Sequence, residues 1–131
     1  MTRAQAYLSQ YRDVGLAGSI ADASPHKLVA LLLRGARERI QSAIASIDRG
    51  DIARKAKAIN GAYSILEGLR MTLDREGGGD IARGLEDIYQ YGGQRLVEAN
   101  VANDTTRLTE VDGLLETIES AWMQIPLSQQ H

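Results

Sequence analysis

Residues 105–126 read TTRLTEVDGLLETIESAWMQIP, and within them Leu108, Val111, Leu115, Ile118, Trp122 and Ile125 recur at alternating spacings of three and four. A strand would alternate with period two. This spacing instead gathers the apolar side chains into one narrow stripe of an α-helix, a heptad seam with Trp122 as a core residue. Pro126 lacks the N–H a helix needs and ends it. Asn103-Asp104-Thr105 supplies the preceding turn and an N-cap.

Upstream the same period recurs three times. A third helix is capped by Asp80 and marked by Ile81, Leu85, Ile88, Gly92, Leu96 and Ala99. Gly77-Gly78-Gly79 separates it from a second helix, because three glycines cost too much backbone entropy to continue one. That second helix opens after Gly50-Asp51 and carries Ile52, Ala56, Ile59, Tyr63, Leu66, Leu69 and Leu73. The first long helix opens at Ser24-Pro25, a favoured N-cap followed by a residue suited to the first helical turn. Leu28, Leu32, Ala36, Ile40, Ala43 and Ile47 form its stripe. The first three helices are each expected to exceed about 20 residues, or roughly 30 Å at about 1.5 Å per residue. Short connections make sequence neighbours antiparallel, so the chain reads as an all-α, up-down-up-down four-helix bundle over 24–125. Ahead of it, Thr2 to Asp13 is a short, weakly amphipathic helical segment with Ala4, Tyr7, Leu8 and Tyr11 on one face. Val14 to Ala23 is a linker, and 1–131 form one domain.

Composition agrees with this reading. The chain has 131 residues, 44% of them apolar but only 5% aromatic with no Phe, so its core is built from Leu, Ile, Val and Ala. These lean to helix rather than sheet. A net charge of −2 without a concentrated basic face argues against nucleic acid as a partner. No cysteine is present, which removes disulfides and thiolate metal sites. The longest apolar run, Leu28 to Leu33, is far short of a membrane span, and no signal peptide is evident, so a cytosolic location without membrane insertion is expected.

Nothing points to catalysis. A carboxylate-bridged di-metal centre in a bundle needs Glu-x-x-His pairs. Here Glu38, Glu67, Glu86 and Glu98 are followed at three residues by Gln41, Arg70, Tyr89 and Val101. The two histidines, His26 and His131, have neither a nucleophile nor an orienting acid implied beside them. The glycine triplet lacks the Lys-Ser/Thr of a phosphate-binding loop. No enzyme activity, metal or cofactor is expected. What remains is surplus apolar surface: Val29, Leu31 and Leu33 off the main stripe of the first helix, and Ala58, Ala62 and Ile65 broadening the second. Coverage by the N-terminal segment, self-association and a groove for a partner's amphipathic helix all remain open as explanations.

Several stretches, in order, resemble the FliS family, the cytosolic export chaperones of flagellin. Ala23-Ser24-Pro25-His26-Lys27-Leu28 is similar to the family's entry into its first long helix, with Gly35 matching a small residue further on. Leu73-Asp74 resembles the end of its second. Ile88-Tyr89-Gln90-Tyr91, Gln94-Arg95-Leu96, Glu98-Ala99-Asn100 and Asn103-Asp104 resemble its most recognisable block, and Glu110-Val111, Leu114-Leu115 and Ala121-Trp122 its last helix. Gly92-Gly93 departs from it, standing where bulkier residues are usual. The resemblance implies a stoichiometric binder of the disordered C-terminal segment of flagellin. It prevents premature polymerisation and docks, loaded, on the cytosolic domain of the membrane-embedded export-gate protein. The partner's helix is expected to contact Leu31, Leu33, Ile65, Tyr89, Tyr91, Leu96 and Asn100. Tyr7, Leu8 and Tyr11 match the segment implicated in docking or in capping the empty groove. A dimeric helical scaffold using the same apolar surface is the alternative.

Overall fold

A computed structural model of the chain describes residues 24–124. The segment with Tyr7, Leu8 and Tyr11, the linker after it, and Ile125 and Pro126 lie outside the described residues. Four helices follow one another: α1 (Pro25–Asp48), α2 (Ile52–Met71), α3 (Arg75–Ala102) and α4 (Thr105–Met123). No strand occurs among the described residues.

Each helix starts where a side chain accepts an otherwise orphaned N–H. Ser24 Oγ accepts from Lys27 N at 3.2 Å, and Asp51 Oδ1 accepts from Arg54 N at 3.1 Å. Asp104 Oδ1 accepts from Thr106 N at 2.8 Å. Asn103 takes φ 51° and ψ 46°, the left-handed conformation that Asn tolerates at a helix end. Between α1 and α2, Gly50 has φ 74°, and Asp51 N reaches back to Ser46 O at 2.8 Å.

The second turn differs from its sequence reading. α2 stops at Met71 after 20 residues, and Asp74, not Asp80, caps α3 through Gly77 N at 2.9 Å. The glycine triplet lies within the first turns of α3. Only Gly79 breaks the helical path, at φ 54° and ψ −127°, where a side chain would be strained. Asp74 thus caps a short first stretch, and the helix is interrupted at Gly79 before it runs on from Asp80, so the triplet still marks a break, as its composition implies. Ile81, beyond the kink, is exposed, and the buried stripe of α3 runs instead through Ala82, Tyr89, Gly92, Leu96 and Ala99.

α1 packs on α2 and α4, and α3 on α2 and α4, so each helix has two flanking neighbours. This doubles the apolar face that each must carry. The core joins Leu28, Leu32, Leu33, Ala36, Ile40 and Ala43 of α1 with Ile59, Ala62, Ile65, Leu66 and Leu69 of α2. Tyr89, Leu96 and Ala99 of α3 and Leu108, Val111, Leu115 and Ile118 of α4 complete it. Trp122 is at the edge of the core, not within it. Its Nε1–H donates to His26 O at 2.8 Å, and its ring stacks on His26 at 4.9 Å, tying the end of α4 to the start of α1.

Tyr89 gives the core a pH signature. Burial pushes its phenol up to about 12. An unfolded tyrosine titrates near about 10, so the folded state holds the proton more tightly. Its contribution is complete below about pH 10 and is lost as pH rises toward about 12. Tyr89→Phe should therefore remove up to about 3 kcal/mol of the alkaline loss of stability, read from urea melts of both proteins across that window.

Candidate functional site

The residues expected to form a partner groove do not share one surface. Leu33, Ile65 and Leu96 are each 0% exposed, and Tyr89 is buried beside them. Leu33 and Ile65 look surplus if one stripe per helix is enough. In this ring of four, Leu33 belongs to the broad buried face of α1, which meets two neighbours. Ile65 belongs to the matching face of α2. In this conformation none of the four is presented to a partner. Leu31 is half-buried against the core. Asn100 is half-buried too, its carbonyl accepting from Lys55 Nζ at 2.8 Å. Tyr91 is exposed, but on the α3–α4 side, where its hydroxyl donates to Glu110 Oε2 at 2.8 Å and Arg95 lies over its ring.

An exposed apolar strip appears elsewhere, between α2 and α3. On α2, Ile52 and Tyr63 stand eleven positions apart, three turns, and so on one face. On α3, Gln90, Gln94, Val97 and Val101 share a face by the same arithmetic. Val97 is 53% and Val101 83% exposed. A groove of about 600 Å³ opens between them, lined by Tyr63, Glu67, Arg70, Gln90, Gly93, Gln94, Val97 and Glu98. Its rim charges are already compensated: Arg70 pairs with Glu67 at 2.9 Å, and Glu98 with Arg95 at 2.9 Å. It presents apolar surface and side-chain amides, without an unpaired charge. Ile52 and Tyr63 were expected in the core because they keep its period. They fall at the edge of the stripe, where periodicity cannot separate inside from rim. Val97 and Val101, apolar at i and i+4 just off the α3 stripe, were the legible signal that was missed.

Two polar anchors tie neighbouring helices together, one beside the groove and one on the far side of the bundle. Lys55 of α2 is buried, and its Nζ also donates to Asn103 Oδ1 at 2.6 Å. It thereby places a cation at the negative, carbonyl-bearing end of α3. On the far side, Arg37 of α1 donates to Asp112 Oδ1 at 2.8 Å and to Glu119 Oε1 at 2.6 Å, and Arg34 donates to Glu119 Oε2 at 2.9 Å. Arg34 and Arg37, three apart on α1, face Asp112, Glu116 and Glu119 on one stripe of α4.

Among the described residues, no group of three or more His, Asp or Glu side chains could hold a metal ion, and no helix is long and apolar enough to cross a membrane. The fold and its surface define an all-α four-helix bundle with an open interhelical groove. The chain belongs to the FliS family: the family model described as flagellar protein FliS matches residues 7–129. It is 42% identical over 115 residues to the flagellar secretion chaperone FliSB of Pseudomonas aeruginosa, covering 88% of this chain and 91% of that protein. It is 38% identical over 119 residues to the flagellar secretion chaperone FliS of Salmonella typhimurium, covering 90% and 88%. With its Bacillus subtilis counterpart the identity is 33% over 106 residues, covering 81% and 78%.

Proposed function

We propose that this chain is a cytosolic export chaperone that binds the C-terminal segment of flagellin in the α2–α3 groove. The observation that carries the reading is the open groove between α2 and α3, with the exposed apolar side chains of Tyr63 and Val97 in its lining, on a bundle of this family. A flagellin segment that becomes helical only in the filament exposes apolar stripes beforehand, which invites premature polymerisation and aggregation. Laid into an interhelical groove, such a stripe exchanges water for apolar surface, and the buried area offsets the entropy of ordering it. The contact is reversible and stoichiometric, so the protein acts by binding rather than by catalysis. No cofactor is required.

Loaded in this way, the chaperone delivers flagellin to the cytosolic domain of the export-gate membrane protein. Tyr7, Leu8 and Tyr11 of the N-terminal segment take part, either in that docking or by capping the groove while it is empty. Sedimentation of the protein with and without a flagellin C-terminal peptide tests the reading. A one-to-one complex should form, with a gain in far-ultraviolet helical signal over the sum of the parts. A self-dimer that ignores the peptide would instead support a helical scaffold.

A further inference from the structure

Adjacent glycines of α3 face different surroundings. A Cβ on Gly92 would lie 3.2 Å from Leu66 Cδ1 and 3.5 Å from Val111 Cγ1, so Gly92 lets three helices approach within the core. Gly93, about 100° further around the helix, faces the groove. A Cβ there would lie 3.2 Å from Tyr63 Cε2 and 3.6 Å from its Cδ2. Unstrained carbon contacts sit at about 3.5–4.0 Å. The Tyr63 ring therefore rests against bare α3 backbone, closer than most residues with a side chain at this position would allow. Even so, 38% of Tyr63 remains exposed, so the ring is part of the groove's surface rather than of the core.

We infer that Gly93 is a positioning residue for partner binding. It lets Tyr63 lie down between α2 and α3, and the lowered ring is the platform on which an apolar side chain of the partner helix seats. The inference rests on the proposed role of this groove as the flagellin site. A tyrosine suits the task, because it offers a broad, rigid face with only two side-chain torsions to fix on binding. The occupant it fits is an amphipathic helix with an aliphatic stripe flanked by uncharged polar residues. The charges on the rim are already paired, Glu67 with Arg70 and Glu98 with Arg95, so they favour no particular sign of stripe, while Gln90 and Gln94 offer amides. Adding a methyl group at Gly93 would press on the ring and push it by a few tenths of an ångström toward the space that the partner needs. The core would not notice, and alanine is the better helix former.

The test is calorimetric titration of the full chain with a synthetic flagellin C-terminal segment, alongside thermal melting. Gly93→Ala should weaken binding at least tenfold with no fall in Tm, whereas Gly92→Ala, pressing on Leu66 and Val111, should lower Tm. If Gly93 acts through Tyr63, then Tyr63→Ala should cost about tenfold in the parent and add little in the Gly93→Ala background. Unchanged affinity of Gly93→Ala, or losses that simply add, would overturn the inference while leaving the groove as the flagellin site. Should Gly93→Ala fail to fold, Tyr63→Leu takes its place: it keeps apolar bulk without the flat ring, and undiminished binding by it overturns the inference. A parent protein that does not bind the segment at all removes the proposed function, and this inference with it.

Discussion

Leu33→Asp is expected to leave the protein unfolded at neutral pH. Leu33 is fully buried between the elements that flank α1. The substitution removes a core leucine, worth about 2–5 kcal/mol, and adds an unpaired carboxylate that costs at least as much again unless it protonates. A domain of this size has only about 5–15 kcal/mol to lose. Circular dichroism and a denaturant melt read the result directly. A folded Leu33→Asp protein with an ordinary Tm would put Leu33 on the surface and contradict the broad packed face assigned to α1. The same charge at Val97 should leave folding intact, since that side chain is already solvated.

Removing Arg37 is the second large perturbation. Its side chain is 14% exposed, and that of its partner Glu119 is 11% exposed. Arg37→Met strands Asp112 without a cation and leaves Glu119 with only Arg34, whose side chain is mostly in water. Breaking a buried pair from one side typically costs about 3–5 kcal/mol; the partial exposure here lowers the expectation to about 2–3 kcal/mol. Urea unfolding of Arg37→Met checks it. Replacing Asp112 and Glu119 by leucine in the same chain should recover most of the loss, because apolar packing of similar volume avoids the desolvation cost that the ion pairs carry. A single-variant cost below about 0.5 kcal/mol would mean that water already screens these charges.

Much of the fold was legible because caps and periodicity are local. Ser24-Pro25, Asp51 and Asn103-Asp104 act in the structure as their chemistry implies, and Leu108, Val111, Leu115 and Ile118 line the buried face of α4. The α2–α3 turn was not legible, since two aspartates, Asp74 and Asp80, bracket the glycines and either could cap. The candidate site was harder still. Leu33 and Ile65 are apolar residues off a single stripe, and periodicity cannot tell a second neighbouring helix from open solvent. Tyr63 kept the core period yet lies across Gly93 at the rim, a placement fixed by the missing side chain on another helix. Lys55 carried no local signal, because its partners, Asn100 and Asn103, stand at the far end of a different helix.

The most direct measurement is calorimetric titration of a flagellin C-terminal segment into the parent protein and into Val97→Asp, with the Tm of each recorded. The parent should bind one-to-one. Val97→Asp should lose at least about tenfold in affinity, the roughly 1.4 kcal/mol or more expected when a charge enters a desolvated apolar contact, with Tm unchanged. Equal binding by the two proteins, or none by the parent, would contradict the α2–α3 groove as the site where this chain holds its partner.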